Sequence, residues 1–315
     1  MRVAELFRPG GGFFLIAGPC ALEDDALNLR VAAELARLSD ALDLPVVFKA
    51  SFDKANRTRA DSPRGPGLEA GLKRLARVRR ESGLPVLTDV HVPGQAAPAA
   101  EVCDVLQIPA FLCRQTDLIQ AAAGTGRPLN LKKGQWMHPE GMAHAVEKAR
   151  AAGAGAVAVT ERGTFFGYGD LVVDMRSFDR IRAAAPSAPV VFDGTHSVQR
   201  PGRADGSSGG DPRHSPTLVR AAVAAGADAL FLEVHPDPSR APSDGTNMLP
   251  LARLEGVLRT ALAVRRAVLE DVRSGRDGGE RAGDARRPDG PREANERRGE
   301  TRTDRAAGDV EGTRV

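Results

Sequence analysis

Four residues at or beyond the ends of predicted strands could hold a divalent metal ion. Cys20 follows the run Phe-Leu-Ile-Ala-Gly, His196 follows Val-Val-Phe-Asp-Gly-Thr, Glu233 ends Ala-Leu-Phe-Leu-Glu, and Asp244 lies in the next loop. A thiolate, an imidazole and two carboxylates suit Zn²⁺ or Fe²⁺, and Mn²⁺ or Co²⁺ could also bind. Each residue alone is weak evidence, because a single cysteine after a strand is more often a small buried hydrophobe. His235 also competes with Glu233 as a ligand.

A second set of residues could bind phosphate and carboxylate groups. Strand interiors exclude unpaired charge, so a lysine that completes Val-Val-Phe-Lys needs an anionic partner. Arginine suits bidentate phosphate contacts, and lysine acts as a compact charge. The alternative for any one cation is a salt bridge to Asp53, Asp89, Asp117 or Glu161. The cations at strand ends or in the loops that follow are Lys49, Lys54, Arg57, Arg114, Lys132, Lys133 and Arg162.

Eight short apolar runs place such side chains at or beside their C-terminal ends. Amphipathic stretches with helical spacing alternate with these runs, and the last of them extends from about Pro250 to Val272. Alternation of apolar strands and helices predicts a (β/α)8 TIM barrel over residues 1–272, with one active face where the strand ends meet. The runs end at or near Cys20, Lys49, Asp89, Gln107, Lys132, Arg162, His196 and Glu233.

Three further segments fall outside this alternation. Residues 273–315 are rich in Arg, Glu, Asp and Gly, and we expect a disordered, inert tail, although a regulatory role stays open. Long polar loops span Ser51–Gly67 and Val198–Pro216. Glycine-rich loops at the active face of a barrel commonly act as lids, and a floppy insertion is the alternative.

Composition excludes several classes of protein. The net charge is +3, and the chain has no dense basic stripe with interleaved aromatic residues, so nucleic acid is a poor candidate partner. No apolar stretch approaches the roughly 18 residues of a membrane-spanning helix, and the N-terminus has no signal-peptide pattern. The 3 cysteines are widely spaced and odd in number, which argues against a disulfide framework. We therefore expect a soluble, cytoplasmic protein with no membrane partner.

Several polar segments occur in a fixed order along the chain: Ile16–Cys20, Phe48–Arg57, Arg64–Glu69, Thr88–His91, Gln107–Asp117, Asn130–Gln135, Thr160–Gly163, Phe166–Tyr168, Leu171–Asp174, Thr195–Gln199 and Glu233–Pro238. Taken together, these segments resemble the 3-deoxy-D-manno-octulosonate 8-phosphate (KDO-8-phosphate) synthase family. The likeness covers residues 12 to about 265. The Lys-Ala-Asn-Arg segment separates this family from the related 3-deoxy-D-arabino-heptulosonate 7-phosphate (DAHP) synthases.

The resemblance implies a reaction and a role for each matching residue. The family condenses phosphoenolpyruvate with D-arabinose 5-phosphate and water, and its product feeds lipopolysaccharide core synthesis. The implied catalytic residues are His196, Asp89, Lys49 and Asp244. The implied phosphoenolpyruvate site is Lys49, Lys54, Gln107, Lys132 and Arg162, and the implied pentose phosphate site is Asn56, Arg57 and Thr58.

The resemblance also implies a metal and an assembly. Members of the metal-dependent branch have cysteine where this chain has Cys20, and members of the other branch have asparagine. Cys20 and Asp244 therefore imply the metal-dependent branch, with Glu233 rather than His235 as the third ligand beside His196. The family is usually a homotetramer. Departures from its pattern include Thr58, Ala60-Asp61-Ser62 and Val92.

Two other functions remain open from the residues. A class I aldolase would form a Schiff base on Lys49 or Lys132. A barrel without activity could serve as a sugar-phosphate binding or scaffold protein. The four candidate metal ligands argue against this second alternative.

Overall fold

Eight parallel strands close into a barrel, which confirms the predicted (β/α)8 fold. The computed structural model describes residues 2–56, 61–165, 169–204 and 207–281. Each strand pairs in parallel with the next, and the first pairs with the last, with Ile16 opposite Phe231. The strands are β1 (Phe14–Gly18), β2 (Val46–Lys49), β3 (Val86–Asp89), β4 (Val105–Ile108), β5 (Leu129–Lys132), β6 (Val157–Glu161), β7 (Val190–Asp193) and β8 (Ala229–His235).

Helices follow the strands, as the amphipathic stretches predict. The short helices α1 and α4 were not predicted from the sequence. The last helix continues to Arg281, so the predicted end near Val272 is too early. The helices are α1 (Val3–Leu6), α2 (Asp25–Leu42), α3 (Leu68–Ser82), α4 (Ala96–Val102), α5 (Thr116–Ala123), α6 (Met142–Ala151), α7 (Ser177–Ala184), α8 (Ser215–Ala224) and α9 (Leu251–Arg281).

The chain divides into two units, Met1–Asp271 and Val272–Val315, and the first contains the barrel. The predicted disorder of the tail falls mostly on residues 282–315, which lie outside the described residues, and it stays a prediction. Within the described residues, no helix combines the length and the apolar content that crossing a bilayer requires.

Alternation along the strands separates an inner from an outer apolar cluster. Phe14, Ile16 and Val47 belong to the inner cluster, which α1 extends with Leu6 and Phe7. The outer cluster joins the intervening strand residues to the surrounding helices. Side chains alternate between the inside and the outside of the barrel along each strand. On five strands, the inward position two residues after the last inner apolar residue lies near the C-terminal end and is polar. These polar residues are Lys49, Asp89, Gln107, Asp193 and Glu233.

The two predicted long loops have internal structure. In the first, Gly67 N donates to Phe52 O at 3.0 Å, and Lys54 N donates to Arg64 O at 2.8 Å. In the second, Gln199–Ala204 and Ser207–Gly210 form an antiparallel hairpin before α8 begins. Both loops therefore fold back on themselves, and their predicted role as lids stays a prediction.

Candidate active site

One cavity of about 970 Å³ lies at the C-terminal ends of the strands. The structure brings most of the predicted site residues together around this cavity. Cys20 is wholly buried and does not line it, and Arg57 and Thr58 lie outside the described residues. The predicted residues that line the cavity are Lys49, Lys54, Asn56, Asp89, Gln107, Lys132, Arg162, His196, Glu233 and Asp244.

The candidate metal ligands meet beneath this cavity. Ligand atoms of Cys20, Glu233 and Asp244 all lie within 4.8 Å of one another. The Cys20 thiol donates to Asp244 Oδ2 at 3.1 Å. His196 is outside this tight group, but its Nε2 lies 3.7 Å from Glu233 Oε2. The four predicted ligands thus occupy one corner of the barrel mouth.

The chemistry of this corner fits a divalent cation. Glu233 Oε1 accepts from Lys49 Nζ at 2.6 Å, whereas Glu233 Oε2 is buried and has no hydrogen-bond partner. Leaving a buried carboxylate oxygen without a hydrogen bond is costly, and His196 Nε2, at 3.7 Å, is too far away to donate one. Burial, with help from the Glu233 carboxylate, raises the pKa of the Cys20 thiol well above its usual value. A bound cation would satisfy the oxygen and stabilise the thiolate.

Asp193 fixes the orientation of His196. Its Oδ2 lies 2.8 Å from His196 Nδ1, and its Oδ1 accepts from the backbone N–H groups of His196 at 2.8 Å and Thr195 at 3.0 Å. Burial alone would raise the pKa of Asp193, but the charges of His196 and Lys132 hold it well below its usual range. A carboxylate on one ring nitrogen leaves the other free for a metal. Asp193 was not predicted as a site residue, although it ends the run Val-Val-Phe-Asp.

Two buried lysines lie close to one aromatic ring. Lys132 Nζ is 3.3 Å from the centroid of the Phe231 ring and Lys49 Nζ is 5.5 Å away. Lys132 also pairs with Asp193. Burial lowers the pKa of Lys132 to about 8, and Asp193 offsets part of that shift. The anionic partners that the sequence required are therefore Glu233 and Asp193.

Gln199 connects the cationic side of the cavity to the candidate metal site. Arg162 Nη2 donates to Gln199 Oε1 at 2.5 Å, and Gln199 Nε2 donates to Asp244 Oδ1 at 3.0 Å. Arg162 Nη1 is buried and has no partner. This nitrogen is therefore available to an anion in the cavity. Gln199 was not predicted as a site residue, because nothing in its spacing distinguishes it from other loop amides.

Two predicted anion-binding residues lie elsewhere. Arg114 is exposed and is not among the residues that line the cavity. Lys133 is wholly buried, and its Nζ contacts Met137 O at 3.2 Å, Thr164 Oγ1 at 3.0 Å and Glu161 Oε1 at 3.6 Å. Lys133 therefore joins two loops of the barrel, and it is not among the residues that line the cavity.

The contacts of His235 favour Glu233 over His235 as the candidate metal ligand. His235 Nε2 lies 3.0 Å from Glu23 Oε1, and His235 Nδ1 accepts from Asp237 N at 2.9 Å. Both ring nitrogens are engaged, so Glu233 is the residue of the two that is available to a metal.

Comparisons with known proteins agree with the geometry. Residues 9–270 match the DAHP synthetase I family. A relative from Nitratidesulfovibrio vulgaris is 57% identical over 251 residues, which is 80% of this chain and 91% of the relative. A relative from Rhodopseudomonas palustris is 55% identical over 80% of this chain and 90% of its own length. A relative from Cyanothece sp. is 53% identical over 82% of this chain and 94% of its own length. All three are named 2-dehydro-3-deoxyphosphooctonate aldolase, another name for KDO-8-phosphate synthase.

The chain belongs to the KDO-8-phosphate synthase family. The family that the sequence motifs indicated is thereby confirmed. The described parts of the matching segments Phe48–Arg57, Gln107–Asp117 and Asn130–Gln135 each begin within a barrel strand and continue past its C-terminal end. The segment Phe166–Tyr168 lies outside the described residues.

Proposed function

We propose that this chain condenses phosphoenolpyruvate with D-arabinose 5-phosphate and water to give 3-deoxy-D-manno-octulosonate 8-phosphate and inorganic phosphate. The proposal is supported above all by one cavity that combines the buried cations Lys49, Lys132 and Arg162 with the carboxylates of Asp89 and Asp244. The names of the relatives describe the same product. We further propose that this product serves lipopolysaccharide core synthesis in the cytoplasm.

The cations define where the two substrates bind. Lys132 and the unpartnered Nη1 of Arg162 would hold the phosphate and carboxylate of phosphoenolpyruvate, with Lys54 and Gln107 beside them. Asn56 also lines the cavity, where it would contact the pentose phosphate. Arg57 and Thr58 would complete that contact. Two polyanions held side by side lose little further entropy on reaction, so proximity supplies much of the rate.

The reaction forms one carbon–carbon bond and breaks one carbon–oxygen bond. C3 of phosphoenolpyruvate attacks the aldehyde carbon, whose oxygen takes up a proton, and the oxygen of water adds at C2. Inorganic phosphate then leaves from the tetrahedral C2, which becomes the ketone carbon. The buried cations stabilise charge that develops at C2. Because Asp193 occupies Nδ1 of His196, Nε2 is the ring atom that would bind a cation beside the reacting groups.

A divalent cation would be held by Cys20, His196, Glu233 and Asp244. We propose Zn²⁺ or Fe²⁺, with Mn²⁺ or Co²⁺ as alternatives, because the donors combine sulfur, nitrogen and oxygen. When bound, the cation would supply Lewis acidity toward the aldehyde oxygen or toward water. The unpartnered Oε2 of Glu233 supports this proposal.

We also propose that the protein is a homotetramer. Phe111, Trp136 and Phe165 are about half exposed, and the ring centroids of Phe111 and Trp136 are 5.7 Å apart. Phe111 and Phe165 line the cavity. Exposed apolar patches of this kind commonly mark protein contacts, and further copies of this chain would cover the patch.

A phosphate-release assay tests the proposed reaction. The protein is given phosphoenolpyruvate with either D-arabinose 5-phosphate or D-erythrose 4-phosphate, with and without a chelator, and the product mass is measured. We expect phosphate only with the pentose phosphate, with loss of activity in chelator and recovery on adding metal. Release with the tetrose phosphate would assign the DAHP reaction instead. Borohydride trapping of substrate on lysine would support a Schiff-base aldolase. Absence of phosphate release with either sugar phosphate would contradict both the KDO-8-phosphate and the DAHP reaction.

A further inference from the structure

A line of hydrogen bonds crosses four adjacent strands inside the barrel. Thr160 Oγ1 donates to Asn130 Oδ1 at 2.6 Å, and Asn130 Nδ2 donates to Gln107 Oε1 at 2.7 Å. Gln107 Nε2 in turn donates to Asp89 Oδ1. The register places Asp89 opposite Gln107 and Gln107 opposite Asn130. We call this line the Thr160–Asp89 relay.

The ionised carboxylate of Asp89 determines which group donates in each hydrogen bond of the relay. Burial would raise the pKa of Asp89, but the charges of Lys49 and Lys54 hold it well below its usual range. An ionised carboxylate can only accept hydrogen bonds. Gln107 must therefore present its NH₂ group to Asp89 and its oxygen to Asn130. Each earlier member donates in the same sense, beginning with the Thr160 hydroxyl.

Only one end of the relay reaches the cavity. Asp89 and Gln107 line it, whereas Asn130 and Thr160 are wholly buried and are not among the lining residues. On the other side of Asp89, Ser51 Oγ donates to Oδ2 at 2.5 Å. Both oxygens of Asp89 are thus held, and the side chains of the two hidden residues reach the cavity-lining residues of the relay through Gln107.

We propose that Asn130 and Thr160 are positioning residues that hold the amide of Gln107 in one orientation for phosphoenolpyruvate. The proposal rests on the function proposed above. Asp89 fixes which end of the Gln107 amide faces it, and Thr160 holds the Asn130 amide in the matching orientation. Without the Thr160 hydroxyl, Asn130 loses one of its two hydrogen bonds in the relay, and the bond from its Nδ2 to Gln107 Oε1 is held less firmly. Loss of one hidden hydroxyl would thereby disturb the atoms that face the substrate.

Substitution of Thr160 tests the relay. Thr160→Val keeps the shape and removes the donor, and Thr160→Ser keeps the donor. We expect Thr160→Val to lower kcat/KM for phosphoenolpyruvate about tenfold, mainly through KM, because misplaced binding groups commonly cost that much. KM for arabinose 5-phosphate should change less than about twofold. Thr160→Ser should restore kcat/KM to within about twofold of the wild type.

Thr88→Val is the matched control. Thr88 is also wholly buried on a barrel strand, and its hydroxyl donates to Ala50 O at 2.9 Å, outside the relay. It should lower the melting temperature about as much as Thr160→Val, with a much smaller change in KM for phosphoenolpyruvate. An equal change in KM for both variants would show a merely structural effect and would overturn the proposal.

A second variant covers the case in which Thr160→Val does not fold. Asn130→Asp has the same size but cannot donate to Gln107, so we expect a larger rise in KM for phosphoenolpyruvate, measured kinetically and by calorimetry. Wild-type kinetics in Thr160→Val or in Asn130→Asp would overturn the relay. A wild-type protein that binds phosphoenolpyruvate without releasing phosphate would contradict the proposed reaction instead, and calorimetry of the variants would still decide the relay.

Discussion

Lys49 Nζ lies 2.6 Å from Glu233 Oε1, and both side chains are at least 98% buried. Each charge is out of water and depends on the other for compensation. Lys49 Nζ also donates to the backbone oxygen of Cys20 at 3.1 Å. One ammonium group therefore contacts two residues of the candidate metal site.

Removing this ammonium should destabilise the protein. Lys49→Met would leave Glu233 without its compensating charge, and breaking a buried ion pair in this way typically costs about 3–5 kcal/mol. Urea unfolding of the metal-free protein would measure the loss. Lys73→Met is the control, because it breaks an exposed pair with Glu69 and should change stability little. Equal stability of both variants would contradict the role given to Lys49.

Cys20 should contribute a sulfur ligand to the metal. Cobalt bound by the wild-type protein should show the thiolate charge-transfer absorption, and Cys20→Ala should lose that absorption and bind cobalt more weakly. Cys103→Ala is the control, since Cys103 is also free and buried but is not among the clustered ligands. An unchanged spectrum in Cys20→Ala, or full activity without metal, would contradict the assignment.

Asp193 should strengthen metal binding without being a ligand. Asp193→Asn would remove the charge that orients His196, and loss of such a partner typically lowers metal affinity about 10–100-fold. Titration with a competing chelator would measure the change. Asp104→Asn is the control, because Asp104 is a buried carboxylate that binds Val86 N at 2.9 Å near the other end of the barrel. Unchanged affinity in Asp193→Asn would contradict the prediction.

The rate should depend on the charge of Lys132. Burial lowers the pKa of Lys132 to about 8; Asp193 opposes that shift, and the charges of Lys49 and Arg162 add to it. Only the protonated form attracts an anion, so kcat/KM for phosphoenolpyruvate should fall as the pH rises through about 8. An ordinary lysine would keep its charge to about pH 10.

Lys132→Arg separates this titration from others in the cavity. Arginine stays charged in proteins, so the variant should keep whatever activity it has above pH 8. The same decline in Lys132→Arg as in the wild type would show that another group titrates.

The exposed aromatic patch should be covered in solution. Trp136→Ser removes a ring that is 46% exposed and is not among the cavity-lining residues. We expect the wild type to sediment as a tetramer and Trp136→Ser to sediment as smaller species, with the far-ultraviolet circular dichroism unchanged. Leu269→Ser, on the exposed side of α9, is the control and should leave the assembly intact. A monomeric wild type would contradict the assembly.

The barrel could be predicted because its strands are buried on both faces and are therefore apolar along their length. Lys132 and Lys133 show that a charged residue at a strand end does not always face the active site. They are adjacent in sequence, but one faces the cavity and the other joins two loops outside it. Counting in steps of two from Asn130, which points into the barrel, would have separated them.

Other parts of the site depend on tertiary contacts that no local pattern encodes. Asp193 matters because it contacts both His196 and Lys132, which come from different parts of the chain. Gln199 matters because it lies between Arg162 and Asp244. The short helices α1 and α4 were missed because a single turn or two gives too few residues to show a helical period.

The N-terminal segment around α1 bears on how substrates reach the active site and how products leave it. Leu6 and Phe7 are buried against the inner apolar cluster, and the ring centroids of Phe7 and Phe14 are 5.1 Å apart. These side chains cover the inner apolar cluster at the N-terminal end of the barrel, opposite the cavity at the C-terminal ends of the strands. Product and phosphate would then leave through the opening by which the substrates enter, so their release would have to precede the next round of binding.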